Sequence, residues 1–213
     1  MLSSYYTVKS TGTNEITINK SRFIAHVKRV TTENEAQEFI QAVKKEHSSA
    51  THNCSAYMIG EQDNIQKAND DGEPSRTAGV PMLEVLKKRH LKDTCVVVTR
   101  YFGGIKLGAG GLIRAYGSSV TEGINAVGVV NRQLMNVIGI TLDYTWLGKM
   151  ENEIRQSSYL LKDVLYEESV CFLVYVPIDN VTSFTDWVTN ITNGQGIIEE
   201  KEEVYLEEDV TEK

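Results

Sequence analysis

The chain has 213 residues, of which 41% are hydrophobic and 24% are charged, and it contains three cysteines. This composition excludes a mostly disordered chain, a collagen-like fibre and a disulfide-stapled miniprotein. Since no apolar run approaches the roughly 20 residues of a membrane helix and no secretory signal pattern opens the chain, we expect a cytoplasmic protein without a membrane partner. The odd, widely spaced cysteines fit a reducing compartment and offer no zinc spacing.

The charge is distributed unevenly along the chain. Residues 1–134 carry 17 lysines and arginines against 13 acidic residues, a net charge of +4, whereas residues 135–213 carry 5 against 16, a net charge of −11. A polyanion should therefore meet the first part, and a basic protein could meet the second. Two solvated surfaces would produce the same pattern, so charge alone leaves both explanations open.

The chain begins with a strand-rich segment followed by a helix. Alternating apolar residues predict strands at 5–9, 15–20 and 22–30. Thr32 and Glu35 form a capping box ahead of apolar residues at helical spacing, which predicts the first helix.

The next elements lead to a glycine-rich segment. Strands are predicted at 54–59 and 95–99, and between them a helix at about 77–90 tolerates Pro81 in its first turn. A loop from Gly103 to Gly111 then opens a third amphipathic helix.

The remaining chain is predicted to form a second domain. Strands and helices alternate in the order β-α-β-β-α-β, at 134–142, 146–161, about 163–166, 170–176, 181–193 and 196–206. This order is that of a ferredoxin-like sandwich. We therefore predict an α+β protein with a first domain at 1–132, a ferredoxin-like domain at 133–206 and an acidic tail at 207–213.

The strongest candidate site is the segment between Thr99 and Arg114, which has five glycines within nine residues. Glycines let backbone N–H groups face a ligand, and a helix N-terminus adds partial positive charge. These features predict an anion site, most naturally for phosphate, although a tight strand-to-helix connection would also need glycines. The candidate residues are Arg100, Gly103, Gly104, Lys106, Gly108, Gly110, Gly111 and Arg114.

Other polar clusters favour structural roles. Asp70, Asp71 and Glu73 could bind Mg²⁺ or act as acid and base, but an Asx-type turn with helix capping is the favoured interpretation. His52 and Cys54 invite a nucleophile hypothesis, yet Cys54 opens an apolar strand, where a buried thiol is common.

Three segments resemble the YigZ/IMPACT family. They are Thr51–Tyr57, Asp70–Pro81 and Val96–Tyr116, and the resemblance extends over nearly the whole chain. It implies a first domain like the second domain of small-subunit ribosomal protein S-five and a second domain like the ferredoxin-like domains of elongation factor G. Arg76 stands where we expect glycine in the family, and an arginine there would add a phosphate contact or narrow the loop.

The resemblance also implies a link to translation, because eukaryotic IMPACT proteins restrain signalling to an initiation-factor kinase. We predict an RNA- or ribosome-associated regulator of translation that binds phosphates through Arg76 and the glycine-rich candidates and requires no cofactor. One alternative is a small-molecule kinase-like enzyme that uses Arg100, Lys106 and an aspartate of the Asp70–Asp71 pair. Another is a protein-interaction adaptor that acts through the acidic domain.

Overall fold

The computed structural model describes residues 1–210 and divides into two units. The first unit contains Tyr5–Asn131 together with the described residues from Glu208 onward, and the second contains Met1–Ser4 and Arg132–Glu207. Each unit therefore includes a short segment from the opposite end of the chain. Of the predicted acidic tail, residues 207–209 continue the last strand, and residues 211–213 lie outside the described residues.

The first unit is an antiparallel sheet with helices on both faces. The sheet consists of β2 (Gly12–Ile18), β3 (Ser21–Arg29), β4 (His52–Ile59), β5 (Ile65–Asn69) and β6 (Thr94–Tyr101). Strand β1 (Ser4–Val8) precedes it in the chain and is not part of this sheet. The helices of the unit are α1 (Glu33–Glu46), α2 (Gly79–Lys88) and α3 (Gly108–Val127). The sheet has the order β2-β3-β6-β4-β5, and every neighbouring pair is antiparallel.

The start of α1 confirms the predicted cap. The Thr32 side chain accepts a hydrogen bond from the Glu35 N–H, and the Glu35 carboxylate accepts one from the Thr31 N–H at 2.7 Å. These bonds satisfy N–H groups that would otherwise have no partner in the helix, which fixes where α1 begins.

The alternation of side chains along the strands builds two hydrophobic layers in the first unit. On one face, Phe23 and Val98 belong to the larger cluster with residues of α2 and α3, such as Tyr116. On the other face, Cys95 and Val97 belong to a smaller cluster with residues of α1. Because neighbouring residues of β6 face opposite layers, this strand is buried on both sides and forms the centre of the unit.

The second unit has the predicted ferredoxin-like topology. It consists of β7 (Val129–Leu142), α4 (Leu147–Gln156), β8 (Leu160–Tyr166), β9 (Val170–Pro177), α5 (Val181–Thr192) and β10 (Ile197–Asp209). The strands run in the order β7-β9-β8, and β10 also pairs with β7. Its core combines β7 and β9 with both helices, and includes Phe172 and Phe184.

Three local predictions were wrong. Helix α4 ends at Gln156 instead of residue 161, because the Ser157 hydroxyl bonds to the Ile154 carbonyl and the chain becomes extended. Strand β5 was missed, since all of its residues are exposed and no alternation marks it. Helix α3 begins at Gly108, so three of the predicted loop glycines lie in its first turn.

Candidate functional site

A pocket of about 440 Å³ opens in the first unit. It lies where the beginning of β4, the end of β6, the loop before α2 and the N-terminus of α3 meet. The lining residues are Thr51, His52, Glu73, Pro74, Arg100, Phe102, Lys106, Leu107, Gly108, Ala109 and Leu112. The predicted candidates Arg100, Lys106 and Gly108 are thus brought together, although they are spread over nine positions of sequence.

The N-terminus of α3 forms one wall of this pocket. The helix has 20 residues, no side chain caps it, and no acidic residue lies in its first turn. Gly108 has a φ of +67°, a conformation that favours glycine, and it turns the chain into the helix. The first-turn N–H groups therefore lack a capping acceptor, and the helix dipole makes this end partially positive.

Two exposed cations accompany the N-terminus of α3. Lys106 lines the pocket directly, whereas Arg114 lies in the second turn of the helix. A Cβ at Gly110 would be 3.6 Å from Nη1 of Arg114, which places that guanidinium along the first turn. Within residues 1–210 neither side chain makes an ion pair, so both remain available to an anion.

Arg100 is paired in the structure, whereas the sequence predicts a cation that is free to bind an anion. Its Nη1 lies 2.6 Å from Oε1 of Glu73, and the two residues are only 5% and 7% exposed. The guanidinium carbon lies 5.4 Å from the ring centres of both Phe23 and Phe102. Arg100 is therefore half of a buried ion pair, and the carboxylate already compensates its charge.

Glu73 also anchors the base of the pocket through Tyr116. The Tyr116 hydroxyl donates to the same Oε1 atom at 2.8 Å, so two donors share one carboxylate oxygen. No hydrogen-bond donor among the described residues reaches the other oxygen, Oε2. Nε2 of His52 lies 3.8 Å from Oε2.

The His52 ring is oriented by the backbone. Its Nδ1 lies 2.8 Å from the carbonyl oxygen of Asp71, which can only accept a hydrogen bond. This contact assigns the proton of the neutral ring to Nδ1 and leaves Nε2 as an acceptor. The sequence predicts other roles for His52 and Glu73, because nothing in the residues around them indicates that both side chains line one pocket.

The two aspartates before α2 have structural roles. Asp70 accepts backbone hydrogen bonds from Arg76, Ala78 and Gly79 and thereby caps the start of α2. Asp71 pairs with Lys44 at 2.6 Å and also accepts from a backbone N–H of β4. Over residues 1–210, no group of three or more His, Cys, Asp or Glu side chains could hold a metal ion.

The remaining predicted residues lie outside the pocket lining. Gly103 is explained by packing, because a Cβ there would come within 2.0 Å of the Lys20 backbone. Arg76 is exposed and has a φ of +63°. This backbone conformation favours glycine, which is the residue that the family resemblance leads us to expect at this position. Gly104 has open space around it, and Gly110 and Gly111 belong to the first turn of α3.

All three cysteines are free thiols. Cys54 is fully buried, and its thiol donates to the Asp70 carbonyl at 3.0 Å. Burial raises the pKa of Cys54 to about 12, and it raises the pKa of Cys95 to about the same value. A thiol that holds its proton this strongly is a poor nucleophile at neutral pH.

These features define a two-unit α+β protein whose first unit surrounds a pocket with an uncapped helix and exposed cations. Residues 19–124 match the Impact N-terminal domain, and residues 140–195 match a domain of unknown function (DUF1949). The chain belongs to the IMPACT family. Over 210 residues it is 66% identical to IMPACT family member YvyE of Bacillus subtilis, and this match covers 99% of this chain and 97% of the relative.

More distant relatives extend this comparison. IMPACT family member YigZ of Escherichia coli is 32% identical over 179 residues, covering 83% of this chain and 88% of the relative. Protein IMPACT of Rattus norvegicus is 36% identical over 98 residues, covering 44% of this chain and 30% of that protein. A crystal structure described as that of a hypothetical protein matches with a TM-score of 0.60 at 28% identity, covering 95% of this chain and 99% of that one.

No helix within the described residues is long and apolar enough to cross a membrane.

Proposed function

We propose that this protein binds RNA through phosphate groups held at the pocket of the first unit, and that it acts in the regulation of translation. The observation that carries the proposal is the uncapped N-terminus of α3, which opens on the pocket beside Lys106. Several backbone N–H groups and a helix dipole directed at one point are a common way to bind phosphate.

The balance of charge around the pocket supports an anionic ligand. Glu73 and Arg100 compensate each other, and Asp70 and Asp71 are occupied by structural hydrogen bonds. The excess positive charge therefore comes from Lys106, Arg114 and the helix N-terminus. Arg76 adds a further exposed cation on the loop that carries Glu73.

Family membership supports the link to translation. The resemblance to eukaryotic IMPACT proteins implies a link to translation, and the match to the Impact N-terminal domain, residues 19–124, lies in the unit that contains the pocket. A net charge of +4 over residues 1–134 also favours a polyanionic partner for this part of the chain. The kinase-like alternative is less supported, since the aspartates it needs are both occupied.

The proposal is tested by removing the two exposed cations. Lys106→Gln and Arg114→Gln should each weaken the binding of a single-stranded RNA oligonucleotide, whatever its sequence, because phosphate contacts do not distinguish bases. Each lost contact should also reduce the slope of log K against log salt by about 0.7. Fluorescence anisotropy over a salt titration measures both effects.

A matched control removes a cation that already has a partner. Lys87 lies on α2 and pairs with Glu84 at 3.3 Å, so Lys87→Gln should leave RNA binding nearly unchanged. If the folded Lys106→Gln/Arg114→Gln variant binds RNA as tightly as the wild type at every salt concentration, the proposed site is wrong.

A further inference from the structure

The pocket contains two hydrogen-bond acceptors for which no residue among 1–210 supplies a donor. Oε2 of Glu73 receives no hydrogen bond from any described residue, although Glu73 is only 7% exposed. Nε2 of His52 is left as an acceptor because Nδ1 contacts the Asp71 carbonyl. Neither atom belongs to the buried atoms that lack a partner, so both are accessible from the pocket. A ligand that fills the pocket displaces water from these acceptors and should therefore carry a donor to this position.

The two acceptors share one pocket with the groups that would hold an anion, because Lys106 and Gly108 line the same cavity as Glu73 and His52. The guanidinium of Arg100 is 2.6 Å from one oxygen of the Glu73 carboxylate, and the unpartnered oxygen belongs to the same carboxylate. Nε of Arg100 is buried and also has no hydrogen-bond partner in the described part of the chain. Since Glu73 compensates the charge of Arg100, a fitting ligand carries a negative group for Lys106 and the N-terminus of α3, and a hydrogen-bond donor close to that group for the two acceptors.

RNA has this combination at every nucleotide, because the ribose 2′-hydroxyl is a donor beside the 3′-phosphate. DNA has the phosphate without the hydroxyl. Phe102, which is 46% exposed at the pocket, offers a ring on which an adjoining base could stack.

We infer that the pocket recognises the ribose 2′-hydroxyl next to a phosphate, with Oε2 of Glu73 and Nε2 of His52 as its acceptors, and so selects RNA over DNA. This inference rests on the proposed function and adds the feature of RNA that the site selects. Lys106 and the N-terminus of α3 hold the phosphate, and the two acceptors accept a hydrogen bond from the neighbouring hydroxyl, which DNA lacks.

The test compares four single-stranded oligonucleotides of one sequence at one salt concentration. They are RNA, 2′-fluoro RNA, 2′-O-methyl RNA and DNA, and the last three all lack the 2′ donor. The 2′-fluoro form keeps the sugar conformation of RNA, so it separates the hydrogen bond from the shape of the strand. We expect RNA to bind roughly tenfold more tightly than the other three, as for a hydrogen bond to a charged acceptor.

A variant then assigns the preference to the pocket. His52→Phe keeps a ring but removes the acceptor, and it should lower RNA affinity toward that of DNA while DNA affinity stays the same. Glu73→Gln is a second variant that should also reduce the preference, and thermal unfolding shows whether each protein is folded. Glu84→Gln makes the same chemical change on the surface of α2 and should keep the preference intact.

The possible failures are distinguishable. Equal binding of RNA and 2′-fluoro RNA by the wild type overturns the hydroxyl inference, and the proposed function still holds if Lys106→Gln weakens both. Failure to bind any of the four overturns both. A free ribonucleoside 3′-phosphate carries the same pair of groups, so discrimination between adenosine 3′-phosphate and its 2′-deoxy form without RNA binding would overturn the assignment to RNA.

Discussion

The buried ion pair beneath the pocket leads to a quantitative prediction about stability. Glu73→Gln removes a charge but keeps the shape of the side chain, and it leaves the Arg100 guanidinium uncompensated at 5% exposure. Breaking a buried pair in this way typically costs about 3–5 kcal/mol of unfolding free energy. The Tyr116 hydroxyl retains an acceptor in the glutamine variant, so the lost charge dominates the effect.

A double-mutant cycle isolates the pairwise interaction. Arg100→Met removes the opposite partner and should also be strongly destabilising, because it leaves a buried carboxylate. The double variant Glu73→Gln/Arg100→Met contains neither charge, so its cost should be at least about 2 kcal/mol smaller than the sum of the two single costs.

The tryptophans supply an internal control for this measurement. Trp146 and Trp187 both lie in the second unit, whereas far-UV circular dichroism reports helices in both units. In urea titrations, Glu73→Gln should shift the dichroism transition of the first unit and leave the tryptophan fluorescence transition in place. A cost below about 1 kcal/mol, or costs that add fully in the double variant, would refute a buried and coupled pair.

Three other properties can be tested on the same protein. Burial and the nearby His47 lower the pKa of His26 to about 4, whereas the side chain in the unfolded chain has a pKa near 6.5. At a pH between these two pKa values, His26 is neutral in the folded protein and takes up a proton on unfolding. The unfolding free energy should therefore rise by about 3 kcal/mol from pH 4 to pH 6.5, and His26→Gln should lose this part of the dependence in urea titrations. Cys54 should react with iodoacetamide far more slowly than the partly exposed Cys171, as peptide mass spectrometry would show; equal rates would contradict its burial. Arg76→Gly should change the unfolding free energy by less than about 1 kcal/mol, because relief of the positive φ offsets the greater freedom of the unfolded chain, and a larger loss would mean that the Arg76 side chain stabilises the fold.

Elements with strong local signals could be predicted from the sequence. The cap of α1 depends on Thr32 and Glu35, which are three positions apart, so the chemistry that fixes the helix start is visible in the sequence. The ferredoxin-like order of the second unit follows from alternating strands and amphipathic helices. Strand β5 lacked such a signal, because an exposed edge strand needs no apolar face.

The candidate site was only partly predictable, because its central contact is not local. Glu73 lies in an acidic turn, where a carboxylate is normally exposed, and Arg100 lies at the end of a strand 27 residues later. Only the assembled sheet brings them together and buries them. The glycines indicated that a helix follows them. The need for glycine at position 103 was not predictable, because it arises from contact with the backbone of Lys20, more than 80 residues away.

The exchange of terminal segments between the two units has a consequence for synthesis. The first unit gains the Lys9–Asp209 ion pair and the hydrogen bond from the Val210 N–H to the Val129 carbonyl only after the whole second unit has been translated. In the second unit, the Ser3 carbonyl accepts a hydrogen bond from the Leu134 N–H, and the Leu2 carbonyl accepts one from the Tyr205 hydroxyl. Both carbonyls therefore lack these partners until the later residues have been synthesised. At about 5–20 residues per second, the first unit stays incomplete on the ribosome for roughly 4–15 seconds after Asn131 is added. The first unit therefore completes its contacts only after the second unit has been synthesised, and a ribosome stalled before Asp209 would display a nascent chain whose first unit still lacks its closing segment.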